Sequence, residues 1–168
     1  MARAQSAAIH AASEAEWRLA QLVGGAEGGA AASLAMALVW MALDRGRTDG
    51  GARPMELVAT ALLGQRALDG GLVAFAVGLV LHLAVGAAWG ALFSRLVPRA
   101  TTGPAAALLG ASFSLIVFFV MGFVVVPAVA PLVASMLHPG SYLVAHLAYG
   151  LSLGIVVPLR RRALNRLD

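Results

Sequence analysis

The chain reads as an all-α, polytopic membrane protein with four transmembrane helices. Three observations predict this. Hydrophobic residues make up 60% of the chain and charged residues 12%, about half the charge of an ordinary soluble domain. The charges cluster, leaving 25 uncharged residues from Gly70 to Ser94 and 60 from Ala100 to Leu159. As one helix the longer run would measure about 90 Å, about three times the hydrocarbon thickness of a bilayer, so it must fold back.

Residues 1–22 form a cytoplasmic or interfacial segment, and residues 23–168 form the four-helix transmembrane domain. Glu14, Glu16 and the lack of an apolar core before a small-residue site argue against a cleaved signal. Ser13 followed by Glu16 fits a capping box, so a helix is expected from about Glu14. Trp17, Leu19 and Leu22 would anchor it at the membrane surface. The first span, residues 23–43, is Ala- and Gly-rich, and Glu27 in its first turn suits the helix dipole.

Polar residues then flank a ten-residue stretch, Pro54 to Leu63, with proline at its start. Ten residues are too few to cross the core, so this is expected to be a short interfacial helix. The second span covers residues 70–95, ended by Arg95, Pro98 and Arg99. Pro127, Pro131 and the His138-Pro139-Gly140 triplet break the long uncharged run. The third and fourth spans are therefore placed at 104–126 and 141–159.

Within this frame the chain repeats itself. His82-Leu83-Ala84-x-Gly86-x-x-x-Gly90 returns as His146-Leu147-Ala148-x-Gly150-x-x-x-Gly154. Leu57-Val58-Ala59-Thr60 has a counterpart in Leu132-Val133-Ala134-Ser135, also behind a proline. Each half is then a span, a proline-led interfacial helix, and a span carrying His and paired Gly. The reading is a duplicated two-helix unit with its pseudo-twofold axis along the membrane normal.

The arginine balance sets the expected orientation. With the N-terminus inside, Arg3, Arg18, Arg95, Arg99, Arg160, Arg161, Arg162 and Arg166 fall on the cytoplasmic side. Arg45, Arg47, Arg53 and Arg66 fall outside, which favours N-in and C-in. Every basic residue is Arg and none is Lys; with so much Ala and Gly this reads as genomic base bias, and no nucleic-acid partner is expected. Membrane lipid is the expected surrounding, and a membrane-protein partner or a second copy of the chain the expected contact.

Small residues recur every four positions: Ala74, Gly78, His82, Gly86, Gly90 and Ser94; His146, Gly150 and Gly154; Gly25, Gly29, Ser33 and Ala37; Gly110 and Ser114. Such rows share a helix face and let backbones approach closely where no hydrophobic effect separates protein from lipid. Gly78, Gly86, Gly90, Gly150 and Gly154 are therefore the expected helix-packing residues.

Three readings compete for His82 and His146, which stand at similar depth, 13 and 14 residues before Arg95 and Arg160. Each neutral imidazole is bonded structurally to a carbonyl, a serine or the other histidine. Or the pair ligates a b-type haem, although Gly-x-x-x-Gly draws helices together where a haem forces them apart. Or they line a proton or solute path, which lacks a carboxylate in the apolar core. No other cofactor or metal is expected. The chain has no Cys, which excludes thiolate catalysis and Cys-held clusters. No phosphate loop, dinucleotide fingerprint or zinc-spaced His pair is present. Gly110-Ala111-Ser112-Phe113 lacks the second glycine of an intramembrane serine protease motif, and such a serine usually bonds back to its own helix.

The stretch from His82 to the end resembles the YagU-like family of small bacterial inner-membrane proteins. The likeness rests on the His-led span ending Phe93-Ser94-Arg95-Leu96-Val97-Pro98, the Gly103-Pro104 start of the third span, its exit through Val126-Pro127, and a His-bearing last span closing on Arg160-Arg161-Arg162. The resemblance implies four helices in the bacterial inner membrane and no defined activity. With no catalytic motif, the expected role is a non-enzymatic scaffold or accessory subunit.

Overall fold

The computed structural model describes residues 13–45 and 53–167. Arg3 and Arg47 lie outside them, as does the start of the N-terminal segment. The chain runs α1 (Glu14–Asp44), α2 (Arg53–Leu63), α3 (Leu72–Leu96), α4 (Gly103–Val129), α5 (Pro131–Met136) and α6 (Pro139–Leu164). No strand occurs among the described residues. Four helices, α1, α3, α4 and α6, are long and apolar enough to cross a membrane.

Helix α1 starts where the Ser13 capping box starts it. Ser13 Oγ accepts from the Glu16 N–H at 3.3 Å, and the Ser13 N–H donates to Glu16 Oε2 at 2.7 Å. The helix then runs unbroken through Gly24, Gly25, Gly28 and Gly29. From Glu14 onward the helix passes residue 22 without interruption. Four glycines would weaken an isolated helix, and here packing on both sides holds them.

Pro127 was expected to end the third span at 126, but α4 continues to Val129. It does so by a π-turn over Met121–Val125, in which the Val126 N–H donates to the Met121 carbonyl five residues back. The wider turn makes room for a proline ring that would otherwise clash with the preceding turn. The break comes at Ala130, where φ is −146° and ψ 65°.

In space the long helices lie in the order α3, α1, α6, α4, with α1 and α6 at the centre. The start of α1, the end of α3 and the end of α6 meet at one end of the bundle. Arg99 bonds Glu14 there and stacks over Trp17 at 4.9 Å, and Arg166 reaches Glu27 at 3.3 Å. Arg18, Arg95, Arg161 and Arg162 share that end, whereas Arg45, Arg53 and Arg66 are at the other.

Two antiparallel pairs make up the bundle, and their contacts correspond. On α3, a Cβ added to Gly86 would meet Ser33 and the Gly29 carbonyl of α1. On α6, a Cβ added to Gly150 would meet Ser114 and the Gly110 carbonyl of α4. Gly90 abuts Gly25 and Gly29, and Gly154 abuts Gly103 and Ala107. Gly78 faces the Met55 carbonyl of α2 and not another long helix. The short helices match too: Thr60 Oγ1 donates to the Leu57 carbonyl at 2.7 Å, and Ser135 Oγ to the Leu132 carbonyl at 2.9 Å.

The two pairs join through the other face of α1. A Cβ on Gly24 would meet the Arg160 backbone nitrogen at 2.5 Å, and one on Gly28 the Val156 Cα at 3.2 Å. Buried Trp40, Met36, Tyr142, Tyr149 and Leu153 fill the space around this seam. Outward-facing Leu108, Ile116, Phe119, Phe123 and Val124 of α4 are largely exposed, as are Val73 and Val80 of α3.

Candidate functional site

Packing α3 and α4 on opposite sides of the α1–α6 centre leaves a gap between them. The two helices come together near the aromatic group Trp89, Phe93 and Phe113, with ring centroids 5.3–6.1 Å apart. Elsewhere they hardly touch. A cavity of about 300 Å³ occupies the gap. Its back wall is Ser33, Met36 and Trp40 of α1 with Tyr142, His146 and Tyr149 of α6. Its sides are Leu81, His82 and Val85 of α3 and Val117, Met121 and Val125 of α4. The short helices line the end away from Arg99 and Arg160 with Val58, Ala61 and Val133. Leu57 of α2 and Val133 of α5 share one buried apolar cluster with Val126 and Ala130. The side between α3 and α4 is covered by no other long helix.

Both histidines line this cavity. His82 is half-buried, and its Nε2–H donates to the Ser33 carbonyl at 3.0 Å while Ser33 Oγ donates to the His82 carbonyl at 2.9 Å. This reciprocal pair ties α3 to α1. His146 is 3% exposed, and its Nδ1–H donates to the Tyr142 carbonyl one turn earlier, at 2.9 Å. A carbonyl only accepts, so these bonds fix the tautomers: His82 carries its proton on Nε2 and His146 on Nδ1. In its neutral form each ring then keeps one nitrogen with a lone pair, His82 Nδ1 and His146 Nε2. Tyr142 stands edge-on to His146 at 4.2 Å between centroids, and Phe118 covers the same ring at 5.6 Å. Trp40 Nε1 is buried without an acceptor among the described residues. No group of three or more His, Cys, Asp or Glu able to hold a metal occurs among them.

Sequence reasoning missed three features. Tyr149 donates its hydroxyl to the Gly86 carbonyl at 2.8 Å, pinning α6 to α3 across the back of the cavity. Arg160 counts with Arg161 and Arg162 in the cytoplasmic arginine balance, which implies no buried role. It is instead 1% exposed. Its Nη1 donates to the carbonyls of Ser94 at 3.1 Å and Val97 at 2.9 Å, and its Nη2 to that of Pro98 at 3.3 Å. A cation on the last carbonyls of α3 opposes the negative end of the helix dipole, and Trp17 lies 5.3 Å from the guanidinium. The second glycine row of α1, Gly24 and Gly28, was also overlooked; the doublets Gly24-Gly25 and Gly28-Gly29 were its signal.

The remaining polar candidates are local. Ser112 is exposed and bonds back to the Leu108 carbonyl at 3.4 Å. Exposed His138 caps α6, its Nδ1 accepting from the Ser141 N–H at 3.3 Å.

No curated protein and no solved structure matches the chain. Residues 19–164, which take in all four long helices from Leu19 onward, match a family of unknown function, and the chain belongs to that family, DUF6789.

Proposed function

We propose that the chain is a non-enzymatic protein of the bacterial inner membrane, with both termini cytoplasmic, acting as an accessory subunit that holds a small lipophilic molecule between α3 and α4. The cavity carries this reading. About 300 Å³ lies at the lower end of the range for small-molecule sites, and an apolar wall with a few convergent polar groups is their usual composition. The cavity opens between helices whose outer faces are apolar, so a ligand dissolved in the bilayer reaches it sideways. The π-turn supports the same reading, because it places Met121 and Val125 in the cavity wall, and such turns recur at functional sites. The matching contacts of the two helix pairs support a duplicated two-helix unit, in which one half's histidine has kept a cross-helix bond and the other's has turned to its own helix.

Octylbenzene tests the reading. An apolar cavity takes up an apolar ring, and a ligand at 100 times its Kd stabilises the folded state by about 2.7 kcal/mol. Thermal unfolding in detergent should shift upward with octylbenzene for the parent and not for Val117→Trp, which fills the cavity. An equal shift in both would refute it.

That both histidines line one cavity also favours a b-type haem held by His82 and His146. Against it, His82 Nε2 is engaged with Ser33. A Soret band with sharp reduced α and β bands, lost in His82→Ala or His146→Ala, would establish the haem. Proton flux in liposomes, abolished by the same substitutions, would establish a conduit.

A further inference from the structure

We infer that the molecule held between α3 and α4 is a lipid-soluble hydroquinone or phenol, recognised through its hydroxyl groups by His82 and His146. The inference rests on the binding reading above and adds what the polar groups of the cavity demand. Each imidazole spends its single proton on a backbone carbonyl, Ser33 for His82 and Tyr142 for His146. What the two neutral rings offer a ligand is therefore one acceptor nitrogen each, His82 from the α3 side and His146 from the back wall, and an acceptor is satisfied by a donor. A hydroxyl donates. A quinone carbonyl, an ester or a hydrocarbon chain does not, and would leave both nitrogens desolvated and unpaired.

The rest of the wall narrows the class. A hydroxyl also accepts, which suits the hydroxyl of Tyr142, whose ring stands against His146 in the same wall. Trp40 and Tyr142 are 5.7 Å apart edge-to-face, and Trp89 and Tyr149 also line the cavity. Aromatic walls favour a flat ring over a bulky aliphatic head. The volume takes a single substituted ring, and the opening between α3 and α4 leaves its alkyl tail in the lipid. Among the described residues no carboxylate or arginine lines the cavity, so a charged headgroup is unsuited to it.

Three probes that differ only in the head separate the ideas: octylhydroquinone kept reduced under argon, octylbenzoquinone, and octylbenzene. The chain has no Cys and no Lys for the quinone to alkylate. Binding is measured by equilibrium dialysis of the purified protein in detergent, with Val117→Trp subtracting partition into the micelle. Octylhydroquinone should bind at least tenfold more tightly than either other probe. In His146→Leu and in His82→Leu its affinity should fall to that of octylbenzene, whose continued binding shows the variant to be folded. Equal binding of the three heads, or preference for the quinone, overturns the hydroquinone assignment and leaves the lipophile reading standing. Failure of all three to bind beyond Val117→Trp removes both.

Discussion

Gly90 is the sharpest place to test how the bundle is held. A Cβ built there would lie against the Gly29 Cα, 2.5 Å from the Gly25 carbonyl oxygen and 2.7 Å from the Gly29 nitrogen. Carbon contacts are comfortable at about 3.5–4.0 Å, so α1 and α3 would have to separate by about 1 Å. The three nearest atoms are all backbone, so relief cannot come from a side chain swinging aside. A gap of about 0.5–1 Å forfeits a quarter to a half of each dispersion contact along the seam, and α1 on α3 is one of the two most extensive seams in the molecule. Overpacking of this kind costs about 1–3 kcal/mol, while alanine returns up to about 1 kcal/mol of helix propensity. Gly90→Ala should therefore lose about 1–2 kcal/mol, and Gly90→Leu more, in reversible unfolding by a denaturing detergent. Gly103→Ala is the control, because its Cβ would meet the Gly154 carbonyl at an ordinary 3.7 Å. If Gly90→Ala stayed within about 0.5 kcal/mol of the parent, the scatter of neutral substitutions, the close approach of these two backbones would be refuted.

Further outcomes follow from single contacts. Arg160→Met removes the donor from three α3-terminal carbonyls and should destabilise by at least about 2 kcal/mol, with Arg160→Lys recovering little because an ammonium lacks the planar fork; the neighbouring Arg161→Met should be neutral, and equal effects at both positions would contradict the cap. Tyr149→Phe leaves the Gly86 carbonyl without its cross-helix donor and should lower unfolding stability by about 0.5–1.5 kcal/mol; no change would mean that the bond contributes nothing. Reporter fusions at Asp49 and after Asp168 should give opposite topology signals, and the same signal at both would sink the four-span arrangement.

The long helices were legible because charge and apolar length are properties of the chain alone. So was the start of α1, since a capping box needs four residues in a row. The glycine rows showed that backbones would approach closely but not whose. Gly86 meets Ser33, and Gly150 meets Ser114, pairings that depend on how four rods are arranged. Adjacent residues on a helix point about a third of a turn apart, so the doublets of α1 serve two partners, α3 through Gly25 and Gly29 and α6 through Gly24 and Gly28. Arg160 was unreadable for the same reason: its partners are carbonyls, which every residue carries and no sequence marks. Pro127 misled because a proline announces a lost hydrogen bond, while the π-turn that accommodates it leaves no signature of its own. The cavity is a residue of packing, the space left when α3 and α4 each prefer another neighbour.

The order α3, α1, α6, α4 also bears on how the molecule is made. Each glycine-matched hairpin is complete once its second long helix has left the ribosome, α1 with α3 first and α4 with α6 afterwards. The join between them, Gly24 and Gly28 on the Val156–Arg160 turn, needs only two finished halves to meet. The link at residues 97–102 adds little to either hairpin, so a gene split there should still yield two chains that find one another. Arg160 of the second would then lock onto Ser94, Val97 and Pro98 at the severed end of the first.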